Sequence, residues 1–273
     1  MLDRFKSELV DPGALVLLAI DIFGKHYKYL ILIGLGIYIP VELVLRLMAS
    51  RVNLIELIQT GDISAVFGAI AASGIIALAI LPLETAALTY FAGKKVNGGE
   101  AAPEGVMDAT FGNWYKLFVT SFIYFSIGIF SMILITSVIL GGIAESMAFG
   151  LIIIIPAILF GEMAKFCQSL VVAGNVTGLM AIRKSFTIIK RRLQRTVILW
   201  LLIWFTEMLF KQLAGSFISV ISGFFGQILA PDSMALQILV ILLAALANTA
   251  CMLFGLVRAL YFFNLYYIYT EAP

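Results

Sequence analysis

Apolar residues run along this chain in six long stretches separated by short polar clusters, at 27–48, 63–91, 114–141, 148–173, 196–220 and 236–264. Crossing a hydrocarbon core takes about 20 apolar residues at about 1.5 Å of rise each. All six stretches qualify as helical spans. Several exceed the minimum, which predicts tilt or kinks, and Pro82 and Pro156 are the expected kink sites. Shorter stretches between them are more polar. At 12–24, Asp11 suits an N-cap and Pro12 the first helical position, which predicts a helix lying at the membrane interface. The apolar run inside it, 13–20, is too short to span and is stopped by Asp21, so no cleavable leader is expected. A second short helix is expected around Val106 and Met107. A third is expected at 177–195, where Leu179, Ile182, Phe186 and Ile189 recur at helical spacing. The predicted fold is an all-α polytopic membrane bundle of six transmembrane helices with three cytoplasmic interfacial amphipathic helices, one integral membrane domain over 1–273.

An internal repeat organises these elements. Phe23-Gly24-Lys25-His26-Tyr27-Lys28 opens the first span and Phe111-Gly112-Asn113-Trp114-Tyr115-Lys116 opens the third. A looser copy, Phe186 to Arg191, precedes the fifth. Pro82 and Pro156 precede the second and third copies at nearly equal spacing, and each is followed by an acid, Glu84 or Glu162. Three units, 12–92, 93–174 and 175–270, each an interfacial helix and a transmembrane hairpin, account for the pattern. Two spans per unit return the chain to the same side, so the repeats are parallel.

The region from Pro156 to Ser185 resembles the membrane domain of glycerophosphoryl diester phosphodiesterases and the related YciC-like bacterial inner-membrane proteins. Pro156-Ala157-Ile158 opens the motif inside a span, and Gly178 with Ala181-Ile182-Arg183-Lys184-Ser185 continues it on the following interfacial helix. The basic stretch and next span follow from Lys190 to Leu202, and Gly98-Gly99 with Val106 and Met107 fit upstream. The chain departs near Gln168, where a second proline is often found in that family. No soluble phosphodiesterase domain is legible in these residues. The resemblance therefore implies a membrane fold and does not bring the esterase activity with it.

Composition agrees with a lipid-facing exterior. The chain is 62% hydrophobic and 12% charged, whereas a soluble domain carries roughly a quarter charged residues. A net charge of +2 gives no reason to expect nucleic acid as a partner. The placement of lysine and arginine is more informative. The amino end carries Arg4, Lys6, Lys25 and Lys28; the connection between spans two and three carries Lys94, Lys95 and Lys116. Around the connection between spans four and five lie Lys165, Arg183, Lys184, Lys190, Arg191, Arg192 and Arg195. Arg46, Arg51 and Lys211 fall on the other side. This bias predicts a multi-pass protein of the cytoplasmic (inner) membrane with both termini inside. Trp114, Tyr115, Tyr266, Tyr267 and Tyr269 fall at the same inner border, where amphipathic rings anchor.

Candidate chemistry is sparse. There is no Walker loop, no His-Glu-x-x-His and no Gly-x-Ser-x-Gly, and a lone His26 assembles no metal cluster. No cofactor is expected. Cys167 and Cys251 lie in apolar runs and read as buried free thiols. The small-residue stretch from Gly68 to Gly74 reads as a helix-packing surface. Polar groups inside spans carry more information, because a charge in hydrocarbon costs several kcal/mol unless paired or hydrated. Glu84, Glu162, Lys165, Gln168 and Arg258 are the expected lining of an inward-facing polar cavity or lipid-headgroup pocket, with Glu162 and Lys165 pairing at helical spacing. The competing reading is a network that only joins helices. Glu42, Glu207, Lys211, Gln212 and Asn248 are the other polar groups within apolar segments. Arg183, Lys184, Lys190, Arg191, Arg192 and Arg195 either bind anionic headgroups or an acidic partner, or only enforce topology.

Three function classes follow. The first is a non-enzymatic membrane protein handling lipid or another amphiphile, as accessory to a transport system. The second is a membrane scaffold or regulatory subunit, and the third an intramembrane lipid-modifying enzyme. Membrane lipids are the expected partners, with a protein partner or a second copy of the chain beside them.

Overall fold

The computed structural model describes residues 8–49, 78, 80–140, 148–228 and 233–270. Among them every element is helical, eight helices in all: α1 (Pro12–Ala49), α2 (Leu81–Val96), α3 (Pro103–Phe111), α4 (Trp114–Leu140), α5 (Ala148–Gly174), α6 (Gly178–Lys190), α7 (Leu193–Ile228) and α8 (Met234–Thr270). Among the described residues, three helical segments are long and apolar enough to cross a membrane: Pro12–Val44, Leu193–Ile228 and Met234–Tyr269. Leu159–Gly174 and Gly178–Lys190 also pass together, as a pair bent by 109°. By length and composition, this is a helical membrane protein. The first half of the span expected at 63–91, its stretch from Gly68 to Gly74, and Arg4, Lys6 and Arg51 lie outside the described residues.

Local chemistry sets the helix ends. The Gly13 N–H donates to Asp11 Oδ2 at 2.8 Å, so Asp11 caps α1 as its sequence predicts. Pro82 lies in the first turn of α2, where it supplies no backbone N–H, and Leu78 and Ile80 before it are also helical. The bend in α1 is at His26, whose φ −114° and ψ 16° are not helical. The stretch expected as one helix over 177–195 is two: α6 ends at Lys190, and α7 begins at Leu193 after a turn. Positive φ at Asn175 and Gly178 carries the chain around the sharp corner between α5 and α6.

The core is organised on α8, which packs against α1, α2 and α7, while α5 packs against α2. Small residues permit the close approaches. A Cβ on Gly34 of α1 would collide with Thr249 of α8, and one on Gly93 of α2 would lie 2.7 Å from Phe263 of α8. Ala19, Leu30, Phe91, Leu170, Met252, Leu256, Leu260 and Tyr261 form the buried centre.

Burial and polarity are arranged as lipid demands. On α7, Leu202, Phe205, Leu209, Leu213, Phe217, Val220 and Phe224 are exposed, an apolar surface that water would not tolerate. Polar groups turn inward instead. Thr89 and Ser169 share a hydrogen bond at 3.0 Å between α2 and α5, and Asn248 donates to Glu42 at 3.0 Å between α8 and α1. Such interhelical bonds are worth about 0.6 kcal/mol each on average. Both cysteines are buried and free, as their setting predicts.

Candidate functional site

Ionic groups on three helices meet in the bundle. Arg258 of α8 donates through Nε to Glu162 of α5 and through Nη2 to Glu207 of α7, each at 2.6 Å. Lys165 closes on Glu162 at 3.2 Å, three residues along the same helix, as expected from the spacing. Lys211 closes on Glu207 at 2.7 Å, four residues along. The five groups form an alternating chain, Lys165–Glu162–Arg258–Glu207–Lys211. Its centre is buried, with Arg258 9% and Glu162 3% exposed, while the terminal lysines are 42% and 50% exposed. Two charges brought so far out of water are tolerated only because each carboxylate is held by two cations.

Lining the same cavity, Glu84 of α2 accepts a hydrogen bond from the Tyr38 hydroxyl of α1 at 2.6 Å. It forms no ion pair among the described residues. Gly255, one turn before Arg258 on α8, lets Glu84 come close: a Cβ there would lie 3.5 Å from Glu84 Oε1 and would collide with Leu88. Gln168 donates to Ser121 of α4 at 3.0 Å, which fixes the adjoining wall.

The cavity enclosed by these groups holds about 300 Å³. Glu84, Glu162, Lys165, Gln168 and Arg258, the five residues singled out from the sequence, all line it. So do Tyr38, Glu207, Lys211, Ser169 and Trp200, which were not assigned to it. The Lys211 ammonium turns back along α7 to Glu207. The signal that could have found this pair is the four-residue spacing of Glu207 and Lys211 within one apolar stretch. Among the described residues no group of three His, Cys, Asp or Glu side chains is arranged to hold a metal.

The register of the helices accounts for the convergence. Glu84, Glu162 and Arg258 each lie twelve residues before the ends of α2, α5 and α8, about 18 Å along the axis. Tyr38 lies twelve residues after the bend at His26, and Glu207 fourteen after the start of α7. One polar layer thus forms at nearly one depth.

The basic segment is a separate surface. Arg183, Lys190, Arg191 and Arg192 are exposed, and Lys184 and Arg195 are partly covered. Lys184 lies over the Tyr266 ring at 5.4 Å and Arg191 over the Tyr269 ring at 5.2 Å, while Arg192 Nε donates to the Tyr269 hydroxyl at 2.7 Å. Arg195 donates to the Val10 carbonyl at 2.8 Å. Three of the six cations are therefore engaged with the tyrosine-rich end of α8. The apolar face expected on this helix is divided: Ile182 and Ile189 are buried with Ala181, Ser185 and Ile188, but Leu179 and Phe186 are exposed. The buried stripe follows the protein core instead. Compared with known proteins, the chain matches no family model, no curated protein and no solved structure.

Proposed function

We propose that this chain is a six-span protein of the cytoplasmic membrane, with both termini inside, that holds the polar part of a lipid or another amphiphile. The carrying observation is the cavity of about 300 Å³ lined by three carboxylates and three cations within an apolar helical bundle. Ionic side chains at this depth are costly to keep, and an open volume beside them, rather than close packing, suits a guest with polar groups of its own. The exposed terminal lysines supply donors that their single ion pairs do not use up. The resemblance to the phosphodiesterase membrane domains and YciC-like proteins is compatible with this reading.

Six spans and a threefold hairpin repeat are supported by three breaks, at His26, at 112–113 and at 191–192. Each separates a shorter helical segment from a longer one beside an aromatic and basic motif. The first measurement is native mass spectrometry of the protein extracted gently from its membrane. Retention of a stoichiometric amphiphile, weakened in Glu162→Gln, is the expected result. A bare protein of unchanged stability in both forms sinks the proposal.

A specific observation favours a second reading, a scaffold whose charges only join helices. Among the described residues, every buried side-chain nitrogen and oxygen already has a hydrogen-bond partner. A protein that copurifies with a stable partner and retains no small molecule would support that reading instead.

A further inference from the structure

The charges lining the cavity are balanced in number, but among the described residues not all of them are paired. The chain of five on α5, α7 and α8 sets three cations against two carboxylates, so one positive charge is left over on that wall. The remaining carboxylate, Glu84, stands on the α2 wall and is held by a hydroxyl, not by a cation. Lys165 and Lys211, the two ends of the chain, are the cations with the most exposure. Both they and Glu84 face the same open volume. A purely structural network would be expected to close Glu84 onto the surplus cation, because separated opposite charges in a low-dielectric interior attract strongly. No such ion pair forms among the described residues, although Glu84 and both lysines line the same cavity.

The geometry points to a zwitterionic ligand, a phosphate ester and an ammonium joined by a short linker, with its phosphate at an exposed lysine end of the chain, Lys165 or Lys211, and its ammonium at Glu84. This rests on the cavity being a binding site, as proposed above, and adds the class of group it takes. A monoanion would satisfy the lysines and leave Glu84 uncompensated. A cation would satisfy Glu84 and be repelled by the surplus charge. Only a ligand carrying both completes the two walls at once, which is specificity by charge placement as well as by attraction. The same chemistry exists as a phospholipid headgroup and as a free small molecule, so the test separates these sources.

Protein in mild detergent is loaded from mixed micelles of equimolar phosphatidylethanolamine, phosphatidylglycerol and diacylglycerol, and retained lipid is read by native mass spectrometry. The wild type is expected to retain phosphatidylethanolamine over phosphatidylglycerol by about tenfold, the value of one charge-assisted hydrogen bond. Glu84→Gln keeps an oxygen for the Tyr38 hydroxyl but removes the charge, and is expected to reverse the order toward phosphatidylglycerol. Lys165→Gln with Lys211→Gln is expected to lose both phospholipids. In a parallel arm, O-phosphoethanolamine at millimolar concentration replaces the micelles; its stoichiometric binding, again abolished in Glu84→Gln, supports the zwitterion as a free molecule. Melting temperature identifies any variant that fails to fold, and Glu84→Asp, which keeps the charge, is then the comparison: it is expected to keep the wild-type order. Lipid retained with the same headgroup ratio in wild type and in a folded Glu84→Gln variant overturns the zwitterion inference and leaves the binding site standing. No retention of any of these probes by a folded wild type overturns both.

Discussion

Arg258 is the residue on which the ionic chain depends. It bonds Glu162 and Glu207 on two other helices at 2.6 Å each, so its removal leaves two buried carboxylates short of a partner. Arg258→Leu is expected to cost roughly 3–5 kcal/mol. The triple replacement Glu162→Gln, Glu207→Gln, Arg258→Met removes the charges together and is expected to recover most of that loss. Chemical denaturation in detergent distinguishes them, and equal damage in both variants would mean that charge pairing is not what holds these helices. Gly255 makes a separate demand. Gly255→Ala drives a methyl into Leu88 and toward Glu84, so it is expected to destabilise the α2–α8 contact by about 1–3 kcal/mol and to narrow the cavity. Unchanged melting would show that α2 can yield.

At the scale of elements, α6 has the composition of a helix lying in the membrane interface. It follows α5 after a bend of 109° and so runs across the direction of the crossing helices. Its inner stripe is in the core, while Leu179, Met180 and Phe186 are exposed beside Arg183 and Lys190. Apolar groups flanked by cations suit the boundary between acyl chains and anionic headgroups, where each basic residue contributes about 1 kcal/mol. Phe186→Trp in bilayers is expected to be quenched by lipids brominated near the headgroup end of the chain. Quenching by aqueous iodide alone would place this face in water. In the same elements, equal distances from the helix ends put Tyr38, Glu84, Glu162 and Arg258 in one layer. Inserting one alanine between Gln168 and Gly174 keeps α5 apolar in composition but rotates Glu162, with the rest of the helix before the insertion, by about 100° relative to the corner. Loss of amphiphile retention is the expected result, with helicity by circular dichroism unchanged.

For the whole molecule, the distribution of lysine and arginine predicts which side each connection occupies. Glu100, between α2 and α3, and Arg46, near the end of α1, belong to opposite sides by that rule. In a background without Cys167 and Cys251, Glu100→Cys is expected to react with a membrane-impermeant maleimide only in inside-out vesicles. Arg46→Cys is expected to react only in right-side-out vesicles. Labelling of both from one side would exclude the proposed orientation.

Much of the helical scheme was legible in the sequence, because a membrane span declares itself by the length of its apolar run and needs no tertiary partner to form its hydrogen bonds. The cap at Asp11, the buried thiols of Cys167 and Cys251, and the Glu162–Lys165 pair follow from the same local rules. The candidate cavity was legible in part, because Glu84, Glu162 and Arg258 are conspicuous wherever hydrocarbon surrounds them. Tyr38 was not, since a tyrosine in an apolar run is an ordinary buried ring until a carboxylate is found beside its hydroxyl. Nor was the division of α6, because Leu179 and Ile182 are equally apolar and only the position of the core decides which is covered. The sequence by itself determined that the chain forms apolar helices and that certain charges must find partners within them. Tertiary structure alone decided which partners those are, because the contacts of Arg258 with Glu162 and Glu207, and of Tyr38 with Glu84, join positions far apart in the chain and depend on how five helices are set in register.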